Sequence, residues 1–205
     1  TNFKNDQVIF TAYAKGGTTN VPEENYRNAS LMTSLVGAAG VGGLSPVALG
    51  TLLSGKLANA SISMGAYTHG ANGASTPKDL ETALQLLYLG FTAANHDPEA
   101  FELLKRRLRA NLANQGRSPG AVFGERLRLV NTVNNYTARS MKPEDVDTLD
   151  QAKMEAFYKS QYANAADFTF FFVGTFDVDQ ISPLLAAYVG ALPSQGRPSS
   201  TLGTM

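Results

Sequence analysis

The sequence predicts an α+β domain in which helices pack on one face of a mostly antiparallel sheet. Three observations carry this. Two stretches, residues 8–15 and 56–67, alternate apolar and polar with period two, the mark of strands covered on one side. Elsewhere apolar residues recur at helical spacing, as in Leu80, Leu84, Leu87 and Phe91. The resulting order is strand, two helices, two strands, four helices, strand, helix. Strands and helices do not alternate regularly, which argues against a parallel wound sheet.

The first strand places Val8, Phe10, Ala12 and Ala14 on one side and ends at Gly16-Gly17. Residues 23–36 form a helix carrying Tyr26, Ala29, Leu31, Met32, Leu35 and Val36, stopped by Gly37, Gly40, Gly42 and Gly43. Ser45-Pro46 opens a short helix through Leu53, closed by Gly55. In residues 56–67, Ala58, Ala60, Ile62, Met64 and Ala66 share a side, and residues 68–76 are read as the returning strand of a hairpin.

Three helices then begin with one device, a capping side chain before proline at Thr76-Pro77, Asp97-Pro98 and Ser118-Pro119. The first is expected to bury Leu80, Leu84, Leu87 and Phe91, and the second Phe101, Leu104, Leu108 and Leu112. The third carries Val122, Phe123, Leu127 and Val130 and frays at Asn134-Asn135. A polar connection over residues 142–150 leads to a helix over residues 151–162, with Met154, Phe157 and Tyr158 inside.

Phe168 to Val173 is a run of aromatic and β-branched residues too short for a helix. It is read as a strand buried on both faces, the centre of the sheet. The last helix uses Ile181, Leu184, Leu185, Tyr188, Val189 and Leu192. Asp177 or Asp179 caps it, and Pro183 is expected in its first turn. Residues 1–193 make one domain, followed by a loop-like linker over residues 194–205.

Composition narrows the function. Lys and Arg number 17 and Asp and Glu 17, a formal net charge of zero, so bulk electrostatics favours neither nucleic acid nor an anionic membrane. No apolar run approaches the ~20 residues that span a bilayer. The one dense basic run, Lys105, Arg106, Arg107 and Arg109, alternates with Leu104 and Leu108 and reads as the wet face of a helix. There is no cysteine, hence no disulfide or thiolate metal site. A cysteine-free chain suits a bacterial periplasm, which is the expected location. The ends predict a piece of a longer protein.

The stretch from Phe171 to Pro193 pairs a strand ending "F-F-V-G" with a short acidic turn and a helix ending "Y-V-G-A-L-P". With Gly16-Gly17 after the first strand and "PKDLETALQLLYLGF" at residues 77–91, it resembles the end of a domain repeat in the M16 (pitrilysin/insulinase) zinc metallopeptidases. The resemblance implies an α+β layout of the LuxS/metallohydrolase-like kind, and a further strand upstream of Thr1.

In that family zinc is held by His-x-x-Glu-His on the helix after the first strand, with a third carboxylate from a distal helix. Here the corresponding helix reads EENYRNASLMTSLVG and has no histidine; the distal helix offers Lys105, Arg106, Arg107 and Arg109. Glu23 and Glu24 in the first turn are explained by the helix dipole. The expected sets of catalytic and metal-ligating residues in this segment are therefore empty, and the substrate-binding residues are not identified by sequence.

Other candidates fall away. His69 and His96 have no local partner; His96 is read as a helix C-terminal residue. Gly50 to Lys56 matches G-x-x-x-x-G-K, but Leu57 stands where Ser or Thr must bind magnesium, and the helix precedes rather than follows. "GVGGLS" from Gly40 misses the dinucleotide fingerprint at Ser45. No Ser sits in a G-x-S-x-G elbow. Glu125, Arg126, Arg128, Tyr136 and Arg139 read as an exposed, charged helix end.

What the resemblance implies is a catalytically inactive domain from the second half of such a peptidase, part of the chamber that encloses a peptide substrate. Its partner would be the zinc-bearing catalytic half of the same polypeptide. The alternative is a non-enzymatic structural or assembly protein with the same fold.

Overall fold

The structure is a computed structural model describing residues 6–115 and 119–199. Its sheet has four strands: β1 (Val8–Lys15), β2 (Ala58–Met64), β3 (Thr68–Ser75) and β4 (Thr169–Gly174), in the order β2-β3-β1-β4 with every pairing antiparallel. Between β1 and β2 lie α1 (Glu23–Ala39) and α2 (Pro46–Leu52). Between β3 and β4 lie α3 (Leu80–Thr92), α4 (Pro98–Gln115), α5 (Pro119–Asn131) and α6 (Gln151–Gln161), and α7 (Val178–Tyr188) closes the chain. The expected α+β architecture, with helices on one face of an antiparallel sheet, is what forms.

The core lies between that sheet face and the helices. Val8, Phe10, Ala12 and Ala14 of β1 are buried against Leu80, Leu84, Leu87 and Phe91 of α3, the four residues the helical spacing singled out. Phe10 sits opposite Phe172 of β4 and Gly73 of β3, with its ring centroid 5.7 Å from that of Phe172. Burying such a ring contributes roughly 1.5–3 kcal/mol. Gly73 is required there, because a Cβ would meet the Phe10 ring at 2.1 Å.

Two expectations are corrected. The aromatic strand is not the centre of the sheet but its edge: β1 and β3 are central, and Phe171 and Val173 are 47% and 68% exposed. Apolar residues on both faces mimicked full burial, yet only Phe168, Phe170 and Phe172 of this run face the core. Pro183 is not in the first turn of α7 but inside the helix. Asp177 starts that helix, its Oδ1 accepting from the N–H groups of Asp179 (2.8 Å) and Gln180 (3.3 Å), which moves Pro183 inward.

Other starts are as the sequence predicts. Thr76 Oγ1 accepts from Asp79 N–H at 3.2 Å and Asp97 Oδ1 from Ala100 N–H at 3.0 Å; the third cap, Ser118, lies outside the described residues. Residues 142–150 form a 3-10 turn, Pro143–Thr148, that buries Val146. The segment after α7 is pinned by Asn164, which accepts from Gln195 N–H (2.9 Å) and donates to Arg197 C=O (3.0 Å).

Candidate functional site

The region to be tested is the start of α1, delivered by the end of β1. Gly16 takes φ +105°, and a Cβ on Gly17 would meet Ala66 C=O at 2.4 Å, so this tight exit needs both glycines. A turn at Thr18–Asn20 then leads to α1, with Glu23 and Glu24 in its first turn.

Three consecutive residues of α1, Tyr26, Arg27 and Asn28, are engaged with the segment between α5 and α6. Tyr26 OH donates to Thr137 C=O at 3.1 Å, and its ring meets Tyr136 edge to face at 5.4 Å. Arg27 donates to Ser140 C=O at 3.1 Å and lies 3.7 Å from Asp145. Asn28, buried, accepts from Asp150 N–H at 2.9 Å. Tyr136 OH returns to Val21 C=O at 2.8 Å, and Arg139 pairs with Glu23. A cleft of about 480 Å³ beside this brace is lined by Glu23, Glu24, Arg27, Tyr136, Arg139 and Asp145.

The cluster read as an exposed helix end thus divides. Tyr136 and Arg139 brace α1, Arg128 donates to Ser140 Oγ at 2.6 Å, and Glu125 and Arg126 remain on α5 outside the brace. Sequence reasoning missed Tyr26, Arg27 and Asn28 as a bonded set, because their partners lie more than a hundred residues away and no local pattern marks them.

On α4, Lys105 pairs with Glu102 at 3.3 Å and stands 5.3 Å over the Phe101 ring, and Arg109 pairs with Asp147. Arg106 and Arg107 are exposed, as the reading of a wet helix face expects.

Neither histidine joins the α1 region. His69 is buried, its Nδ1 3.2 Å from Gly16 C=O and its Nε2 3.0 Å from Gln161 C=O, with Phe168 and Tyr162 edge-on at 5.1 and 5.7 Å. Both ring nitrogens therefore face backbone carbonyls. His96 lies beyond the end of α3, and its partner is Glu155 of α6 at 2.8 Å. Among the described residues no three His, Cys, Asp or Glu side chains converge as metal ligands. The α1 residues do not fit zinc: Tyr26, Arg27 and Asn28 offer no imidazole or carboxylate, and a guanidinium repels a cation. The segment from Gly50 to Lys56 likewise runs from α2 toward β2, so no helix N-terminus faces its loop.

Behind His69 the aromatic core is held by two buried tyrosines. Tyr162 OH bonds Ser63 C=O at 2.9 Å and Gly70 C=O at 3.0 Å, and Tyr158 OH bonds Gly90 C=O. Burial pushes both phenols well above their ordinary range. At the far end of the sheet, Leu57 N–H and the Thr76 hydroxyl both donate to Asp79 and hold its carboxyl below the usual value of 3.8.

The comparisons with known proteins bear on the fold that carries this region. No family model matches the chain. A curated plant relative, the zinc protease PQQL-like protein of Arabidopsis thaliana, is 28% identical over 200 residues, which is 97% of this chain but 18% of the relative. The periplasmic protease PqqL of Escherichia coli superposes with a TM-score of 0.79 at 17% identity, over 98% of this chain and 22% of PqqL. The M16 peptidase inactive domain from Pseudomonas fluorescens superposes at 0.73 with 17% identity, over 96% of this chain and 48% of that one. The fold is that of an M16 peptidase domain. The chain spans about a fifth of the length of the zinc protease relative it matches. Among the described residues no helix is long and apolar enough to cross a membrane.

Proposed function

We propose that this chain is a catalytically inactive domain from the second half of an M16-type zinc peptidase. In this reading it forms part of the wall of a chamber enclosing a peptide substrate. The zinc and the chemistry belong to a separate catalytic half of the same polypeptide, in a bacterial periplasm.

One observation carries the reading. The helix after β1 has no histidine, and Tyr26, Arg27 and Asn28 are spent on hydrogen bonds to residues 137–150. The zinc protease relative, about five times longer than the region matched, and the inactive M16 neighbour support the same reading.

The test has two arms. Titrating the 205-residue chain with zinc should give no stoichiometric binding; tight binding would overturn the inactive-domain reading. In the full-length parent, zinc content and peptide hydrolysis should be lost when an upstream His-x-x-Glu-His segment is substituted. Both should survive Arg27→Ala here. A full-length protein without such a segment and without zinc would instead establish the structural or assembly reading.

A further inference from the structure

The helices do not fill all the space over the inner face of the sheet. Between α1, α2, α3 and β2 lies a cavity of about 270 Å³, none of whose lining residues belongs to the brace at the start of α1. Its walls are made by Val36, Leu49, Leu53, Ile62, Leu86 and Leu87, and no charged or titratable side chain lines it. Two glycines make the room. A Cβ on Gly37 of α1 would meet nothing within 4 Å, and one on Gly90 of α3 only Ile62 Cγ2 at 3.4 Å.

The space is held open from both ends of α2. Before it, Asn95 fixes the corner from α1: its Oδ1 accepts from Gly43 N–H at 2.8 Å, and its Nδ2 donates to the Ala39 and Leu44 carbonyls, each at 3.0 Å. After it, Leu57 N–H donates to Asp79 at 3.0 Å and Leu57 C=O accepts from Thr76 N–H at 3.1 Å. Pinned in this way, α2 buries no residue of its own and leaves Leu49, Leu53 and Ile62 only half-buried. Thr33, Asn59 and Ser61 add polar groups to the lining, and among the described residues none of these three side chains has a hydrogen-bond partner.

Resting on the chamber-wall reading, we propose that this cavity is a subsite for one uncharged aliphatic or aromatic side chain of a bound peptide. An apolar cavity of ~150 Å³ takes up benzene, so about 270 Å³ accommodates a leucine or phenylalanine side chain. A charged side chain would give up its water there and find no counter-charge. The lining thus sets the class of side chain, while Thr33, Asn59 and Ser61 supply hydrogen bonds for the amides of the peptide that carries it.

The experiment follows the methyl resonances of Leu49, Ile62 and Leu87 in the 205-residue chain during titration with small probes. The N-acetyl amides of phenylalanine and leucine should shift them saturably, with a Kd of about a millimolar, and those of glycine and aspartate should not. Gly37→Leu fills the cavity and should weaken binding by about tenfold or more. That variant should keep the parent's melting temperature, since a Cβ at position 37 clashes with nothing. Gly50→Leu, on α2 outside the lining and equally free of neighbours, should bind as the parent does. The absence of a saturable shift, an equal response to the aspartate amide, or full affinity in Gly37→Leu overturns the proposal. Binding of benzene but of neither amide also overturns it, making the space a packing void. Zinc titration reads a different property: a chain that binds neither zinc nor the amides loses this subsite and keeps the inactive-domain reading.

Discussion

Tyr26 meets Tyr136 edge to face with ring centroids 5.4 Å apart, and through this contact the first turns of α1 are tied to the segment after α5. The hydroxyls reinforce it in both directions, Tyr26 to Thr137 C=O and Tyr136 to Val21 C=O. The start of α1 is thus anchored to a segment more than a hundred residues away.

Tyr136→Ala should therefore cost about 2–3 kcal/mol, from the lost ring pair and an unpaired carbonyl, and Tyr136→Phe only about 1 kcal/mol. Urea denaturation measures both. Equal stability of Tyr136→Ala and the parent would show that the brace holds nothing.

Gly70 of β3 leaves the least room for a Cβ of the strand glycines described. A Cβ there would stand 1.9 Å from Ala12 C=O, against backbone that cannot turn aside. Gly70→Ala should cost about 3 kcal/mol or more, read from the thermal midpoint. Gly50, inside α2 with nothing within 4 Å, gives the opposite sign: Gly50→Ala should stabilise by roughly 0.5–1 kcal/mol. If the two variants behave alike, steric crowding is not what selects glycine at position 70.

Tyr158 and Tyr162 predict an alkaline limit. Burial raises both phenols in the folded state, while in the unfolded chain they ionise near 10. Their contribution is complete below that value and drains away as the pH climbs above it. The urea midpoint should fall above about pH 10, and Tyr162→Phe should shallow the fall. That variant should also lose about 1–3 kcal/mol at neutral pH, where Ser63 and Gly70 C=O go unsatisfied. An unchanged alkaline slope in Tyr162→Phe would refute the assignment.

Asp79 predicts the acid side. Its carboxyl is lowered by Leu57 N–H and the Thr76 hydroxyl, so the stability it lends is present above 3.8 and is lost as the pH falls through the folded value. Asp79→Asn should flatten the acid limb of the stability curve below about pH 4. An acid limb identical to the parent's would place the titrating group elsewhere.

Much of this was legible locally. Alternation in residues 8–15 marked β1, the spacing of Leu80, Leu84, Leu87 and Phe91 marked the face of α3, and Thr76 and Asp97 cap as expected. Each of these rests on neighbours within a few residues. The brace at α1 was not legible, because Arg27 and Asn28 find partners only after the chain has returned through four further helices and two strands. His69 was likewise a solitary residue until the fold set Gly16 and Gln161 carbonyls on its two nitrogens.

The sequence by itself determined which segments are strands and helices, which face of each is apolar, and that the helix after β1 has no histidine to offer a metal. Only the tertiary structure decided that Thr169–Gly174 is an edge and not the centre. Periodicity records whether a side chain meets oil or water on each face of a strand. It carries nothing about what pairs with the backbone at its sides, because every residue brings the same N–H and C=O.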